Sequence, residues 1–162
     1  MGAGKSTLGK KLAKAIGYQF IDSDKEISKQ EGITITDLFD TKGETYFRQL
    51  EKEFIEQLDN NENYIVATGG GLPCSNDLMD LLNQKGTTLY LHVKPSTLLL
   101  RLKEGQKKRP LIANLNDEQL RDFIAEKLSE RESTYLEAQL IVDEANQKVE
   151  QLMPLLHLHQ KN

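Results

Sequence analysis

Gly2-Ala3-Gly4-Lys5-Ser6-Thr7 opens the chain and has the form of the second half of a phosphate-binding loop, G-x-x-x-x-G-K-[ST]. The residue types follow from what a polyphosphate needs. Glycines let backbone N–H groups crowd round the anion where a side chain would block them. Lys5 brings a positive charge to the β- and γ-phosphates, and Ser6 offers a hydroxyl to Mg²⁺. A helix directly after the loop aims its positive N-terminal end at the same anion. Leu8, Leu12, Ala15 and Ile16 give that helix one apolar face, and Gly17 supplies a stop. The motif's first glycine falls before Met1 and a buried strand is expected before it, so the chain is expected to begin inside its domain. Taken alone, the match also fits a Gly-rich turn with a surface lysine. The downstream pattern favours the nucleotide.

Composition narrows the function classes. At 162 residues the chain can form one domain, 1–162, with a sizeable core. A net charge of −4 argues against a general nucleic-acid binder, which carries a basic face. It leaves ATP open, because the local field decides. No apolar run reaches membrane-spanning length. Cys74 is the only cysteine, which excludes an internal disulfide and suits a reducing cytoplasm. A cytoplasmic monomer with no nucleic-acid or membrane partner is expected.

Outward from the loop, strands alternate with helices. Tyr18–Ile21 predicts a strand that runs into Asp22-Ser23-Asp24, with both aspartates on one side of the chain at its carboxyl end. Two carboxylates so close point to a cation or a ligand hydroxyl. A helix is expected from Lys25, then a short helix after Gly32, and after Gly43 a longer one over about 44–58. Arg48 and Glu51 share a face of the longer helix; read without context they are a surface ion pair. Tyr64–Thr68 is a buried-type strand ending in Gly69-Gly70-Gly71, where close backbone approach to a ligand is expected. A helix over Ser75–Lys85 and a strand over Thr87–Val93 follow, with His92 read as a packing residue. Pro95 and Gly105 frame the next helix, which carries Arg101. The basic stretch 105–115, containing Gln106-Lys107-Lys108-Arg109-Pro110-Leu111-Ile112, has no periodicity and reads as a mobile lid. Asn116 to Gln119 has the form of a capping box for a helix carrying Arg131 and Tyr135. Leu140–Asp143 is a last strand. A closing helix over about 146–157 is kinked or ended by Pro154, and His157 and His159 lie in its frayed tail. The pattern predicts an α/β fold, a parallel sheet of three-layer type with helices on both faces. Four strands lie in the chain and a fifth is expected before Met1.

These residues together resemble the shikimate kinase family, within the nucleoside-monophosphate-kinase-like P-loop proteins. Gly2-Ala3-Gly4-Lys5-Ser6-Thr7 is similar to its phosphate loop, and Phe20-Ile21-Asp22-Ser23-Asp24 to its strand with paired aspartates. Gly43-Glu44, Phe47-Arg48 and Glu51 resemble its substrate helix. Gly69-Gly70-Gly71, Arg109-Pro110-Leu111, and Arg131 with Tyr135 and Ala138 complete the order. The resemblance implies ATP and Mg²⁺ as cofactors and shikimate as the acceptor, phosphorylated at its 3-hydroxyl. It implies that the phosphate loop, Gly2 to Thr7, holds the nucleotide, with Ser6 and Asp22 serving Mg²⁺, Asp22 through water. Asp24 would bind the accepting hydroxyl and draw off its proton. Arg48 and Arg131 would bind the substrate carboxylate, with Glu51 orienting Arg48 and the Gly69–Gly71 triplet lining the site, where Gly70 gives an N–H. Arg109 would come down from the lid onto the phosphates, and Arg101 would lie against adenine. Lys5, Asp24 and Arg109 are the catalytic candidates, and the helices over about 25–58 form the substrate side. The loop Asp143–Lys148 lacks a proline the family often places against adenine. The alternatives are a related gluconate or nucleotide kinase, or a non-catalytic nucleotide-binding module.

Overall fold

The computed structural model describes residues 1–59, 62–75 and 78–159. The expected helix over 75–85 begins across residues 76–77, outside the described residues. The side chains of Lys108, Pro110, His157 and His159 lie outside them as well. Helix α1 (Lys5–Ile16) follows the phosphate loop and ends at Gly17, whose φ of 73° only glycine adopts without strain. Strand β1 (Gln19–Asp22) leads straight into α2 (Ser23–Glu31). Helix α3 (Ile35–Gln57) is N-capped by Thr34, whose hydroxyl accepts from the Asp37 N–H. It breaks at Gly43, with φ 82° and ψ 170°, which is why the sequence reads as two helices there. Strand β2 (Tyr64–Ala67), α4 (Leu78–Lys85), β3 (Leu89–His92), α5 (Pro95–Lys103), α6 (Asp117–Tyr135), β4 (Leu140–Asp143) and α7 (Val149–His159) complete the order. The capping box at Asn116 and Gln119 forms as the sequence predicts. Pro154 lies inside α7 without ending it. Helix α5 is capped by Glu104, and Gly105 keeps a negative φ, so it is not the left-handed stop expected of it.

All strand pairs are parallel. β1 pairs with β2, Gln19 opposite Tyr64 through Asp22 opposite Ala67, and β3 pairs with β4, Leu89 opposite Leu140 through His92 opposite Asp143. Among the described residues these make two two-stranded sheets, not one continuous sheet. Between β2 and β3 lies an apolar cavity of about 550 Å³, lined by Leu8, Leu12, Ile65, Val66, Leu89 and Leu91 among others.

Neighbouring residues of one strand show the layers. Val66 packs with Ile27, Leu38, Phe54 and Ile55 of α2 and α3, whereas Ile65 packs with Leu12 of α1 and Leu152 of α7. Alternation along β2 therefore puts helices on both faces. A third cluster, Leu98, Leu102, Leu120 and Ile124 with Val93, joins α5 to α6. Gly9 fixes the approach of α1 to the sheet, since a Cβ there would lie 2.8 Å from the Phe20 ring. Among the described residues no helix is long and apolar enough to cross a membrane.

Candidate active site

The loop before α1 bends through Gly2 (φ 75°) and Gly4 (φ 95°), conformations that L side chains rarely adopt. Gly4 is the N-cap of α1 and the helix has no side-chain cap, so its first amides are available to an anion. Lys5 stands at the first helical position, near Asp24, Asp22 and Arg131. Burial pushes its ammonium pKa down, and the two aspartates pull it back up. Ala3 tucks against the α5–α6 cluster, and Thr7 is exposed on the first turn of α1.

Ser6 Oγ donates to Asp22 Oδ2 at 2.8 Å. Among the described residues no group of three or more His, Cys, Asp or Glu side chains could hold a metal unaided. One hydroxyl and one carboxylate nevertheless fit Mg²⁺, which keeps several waters and takes its remaining ligands from substrate phosphates. Asp22 ends β1 and caps α2, while Asp24 lies in the first turn of α2. The period-2 argument for the pair thus fails, because the chain turns helical at Ser23. The aspartates still feel each other. Burial raises the Asp24 pKa most, Asp22 adds to the rise, and Lys5 opposes it. Asp24 Oδ1 is buried with no hydrogen-bond partner. An orphaned buried acceptor is costly, and here it faces the glycine triplet.

Each glycine of the triplet makes room for a different side chain. A Cβ on Gly69 would lie 2.7 Å from Asp24 Oδ1 and 3.3 Å from Glu51 Oε1. On Gly70 it would meet Arg131 Nη1 and Tyr135 Oη, both at 3.4 Å, and on Gly71 it would meet Arg48 Nη2 at 2.7 Å. None of the three has a positive φ, so glycine is required for close approach and not for backbone conformation.

Arg48 forms a fork with two acidic partners on α3. Its Nη1 donates to Glu51 Oε2 at 2.6 Å, and its Nε and Nη2 donate to Glu44 Oε1 at 3.1 and 2.8 Å. Glu51 is only 1% exposed, which corrects the surface-pair reading: this is a buried ion pair. Burial pushes the Glu51 carboxyl up, and Arg48 pulls it back. Arg131, on α6, lies against Gly70, next to the glycine that Arg48 meets.

The remaining cations lie further out. Arg101 Nη1 donates to the Ala3 and Gly2 carbonyls at 3.3 and 3.5 Å, and its Nη2 lies 3.5 Å from Glu144. It therefore braces the back of the phosphate loop. Arg109 folds onto its own loop and donates to the Leu102 carbonyl at 3.4 Å. The stretch 105–115 is not irregular throughout. It holds two 3₁₀ turns, Gln106–Lys108 and Pro110–Ile112, and Ile112 is fully buried in the α5–α6 cluster.

Sequence reasoning gave no site role to two contributors, Ser23 and Tyr135. Ser23 is fully buried, and its Oγ accepts from the Gly69 N–H at 3.0 Å, tying the aspartate turn to the triplet. Standing between two aspartates, it carried no signal of its own. Tyr135 donates to the Gly70 carbonyl at 2.6 Å; its place four residues after Arg131, one helical turn on, was the available signal. His92, expected in the core, is 43% exposed and meets Asp143 at 2.9 Å because β3 and β4 put them in register. Cys74 is exposed.

A family model described as shikimate kinase matches residues 1–157. A shikimate kinase from Bacteroides fragilis is 39% identical over 167 residues, covering 98% of this chain and 93% of that protein. Among solved structures, a shikimate kinase from Bacteroides thetaiotaomicron superposes with a TM-score of 0.89 at 36% identity, over 99% of this chain and 94% of that one. A shikimate kinase from Acinetobacter baumannii in complex with shikimate gives 0.81 at 33% identity, over 100% and 89%. By both sequence and fold, the chain belongs to the shikimate kinase family.

Proposed function

We propose that the chain transfers the γ-phosphoryl group of ATP to the 3-hydroxyl of shikimate, giving shikimate 3-phosphate and ADP in the route to aromatic amino acids. Family membership carries the reaction. The observation that supports its assignment to these residues is the convergence of Asp24, Arg48 and Arg131 on the three glycines, beside Lys5.

Phosphoryl transfer asks for positioning and charge more than for covalent help. The loop amides of Gly2 to Gly4 and Lys5 hold the phosphates. Ser6 and Asp22 would hold Mg²⁺, which when bound neutralises charge on the β- and γ-oxygens. Arg48 and Arg131 grip the acceptor's carboxylate from two sides, a planar anion suited to guanidinium forks. Glu51 and Glu44 hold Arg48 in place. The orphaned Asp24 oxygen receives the hydroxyl hydrogen of shikimate. As the new O–P bond forms and the bond to the β-phosphate oxygen breaks, Asp24 takes that proton. Its raised pKa suits it to do so. Arg109 swings from Leu102 to the phosphates when the lid over about 105–115 closes, and Arg101 flanks the adenine. The helices over 25–58 form the substrate side of a single domain. A cytoplasmic monomer fits the single cysteine and the self-contained site.

A coupled assay with ATP, Mg²⁺ and shikimate tests the reading. Turnover is expected in the intact chain and abolished in Lys5→Ala with the circular dichroism spectrum unchanged. Full activity in Lys5→Ala would overturn the loop assignment.

A further inference from the structure

We infer that Tyr135 is a positioning residue for the acceptor's carboxylate, acting through the Gly70–Gly71 peptide. This rests on the carboxylate site proposed above. Tyr135 is the last residue of α6, one turn beyond Arg131. Its hydroxyl donates to the Gly70 carbonyl at 2.6 Å, and Arg131 Nη1 lies against the same Gly70. One phenol oxygen thus joins the two elements that meet the carboxylate, α6 and the glycine triplet. The ring has a fixed seat: it packs on Tyr90 of β3, with centroids 5.1 Å apart and planes tilted by 39°. Strand β3 therefore sets where the hydroxyl stands.

The consequence follows from peptide geometry. In a trans peptide the carbonyl and the next N–H point in opposite directions. Holding the Gly70 carbonyl towards α6 turns the Gly71 N–H the other way, and the Arg48 guanidinium lies against this same Gly71. The turn around it is closed by Leu72 N–H on the Gly69 carbonyl and by Cys74 N–H and Ser75 Oγ on the Gly71 carbonyl, but the Gly70–Gly71 peptide itself lies between two residues with wide backbone freedom, and among the described residues the phenol is its hydrogen-bond partner. Without the phenol the plane can flip. Burial keeps the hydroxyl protonated, so it remains a donor.

Tyr135→Phe removes the oxygen and keeps the ring on Tyr90. The KM for shikimate should rise about 3- to 10-fold, the usual worth of one hydrogen bond, while the KM for ATP stays within about twofold. A ligand-free readout accompanies it: exchange of the Gly71 amide hydrogen should quicken in Tyr135→Phe, with core amides of β2 unchanged. Tyr90→Phe, which keeps the ring contact, should behave as the intact chain in both measurements. Equal rises in both KM values, or an unchanged shikimate KM alongside wild-type turnover, would overturn the inference. Unchanged Gly71 exchange would overturn it even if the wild-type chain did not phosphorylate shikimate, an outcome that would sink the carboxylate site separately.

Discussion

Arg48 holds two carboxylates of unequal exposure, and that inequality has a pH signature. Glu44 is 65% exposed and Glu51 1%. Removing the arginine leaves Glu51 charged in a buried place, at a cost of about 3–5 kcal/mol when nothing compensates. Glu51 can escape by taking a proton, since burial already pushes its pKa up and Arg48 is the main force opposing the rise. In Arg48→Ala the folded-state pKa therefore stands further above the unfolded value. A carboxyl with a raised folded pKa favours the folded state at low pH, and that advantage is lost as pH rises from the unfolded towards the folded value. The penalty of Arg48→Ala, measured by urea denaturation, should be smallest near the ordinary glutamate pKa and grow as pH rises above it. A penalty independent of pH would mean that Glu51 finds another cation. Asp24 gives a parallel case. Burial and Asp22 raise its pKa, so Asp22→Asn should lower the Asp24 value followed by carboxyl-carbon NMR, and Lys5→Ala should raise it. A shift in the opposite direction for either variant would refute the coupling.

Among the elements, the lid shows where sequence reading reaches and where it stops. The phosphate loop is legible because its function lies in consecutive residues and in backbone freedom. The lid looks featureless because its stretch is polar and short, yet Gln106 Nε2 donates to the Ile112 and Leu115 carbonyls at 2.8 and 2.6 Å. With Ile112 fully buried, the far end of the loop is pinned to α5 and α6, and Leu111 beside it is 73% exposed. The proposed lid closure would then be a pivot of residues 107–111 and not a loosening of the whole stretch. Hydrogen exchange should show residues 112–115 protected without ligands, and residues 107–111 gaining protection only with nucleotide and shikimate together. Gln106→Ala should erase the protection of 112–115. The glycine triplet was legible as a close approach, but its reason was not: side chains from three helices, α2, α3 and α6, converge there, and no local pattern announces them. Asp24 moved from strand to helix for a similar reason. Ser23 has a buried hydroxyl that accepts from Gly69, a contact 46 residues apart in the chain that favours turning at once.

Across the whole molecule the site joins two halves. Lys5, Asp24 and Arg48 belong to the half built on β1 and β2, whereas Arg131 comes from α6, which packs with α5 beside β3. The two sheets share no strand pairing among the described residues. They are held by α1 and α7, whose Leu12 and Leu152 form one cluster with Val142 of β4, and by Tyr135 on Gly70. A carboxylate gripped by Arg48 and Arg131 would add a bridge between sheets that share no strand pairing among the described residues. Binding to the folded state alone stabilises by about 2.7 kcal/mol at a hundredfold excess over Kd, which for a domain of this size is a rise in Tm of about 5–10 °C. Shikimate should give that rise in the intact chain. Arg131→Ala should lose most of it while keeping the rise given by ATP and Mg²⁺, because the loop and Lys5 proposed to hold the phosphates stay in place. A calorimetric scan of both proteins with each ligand decides the matter. Full retention of the shikimate rise in Arg131→Ala would show that α6 does not hold the acceptor and that the ligand adds no bridge between the two halves.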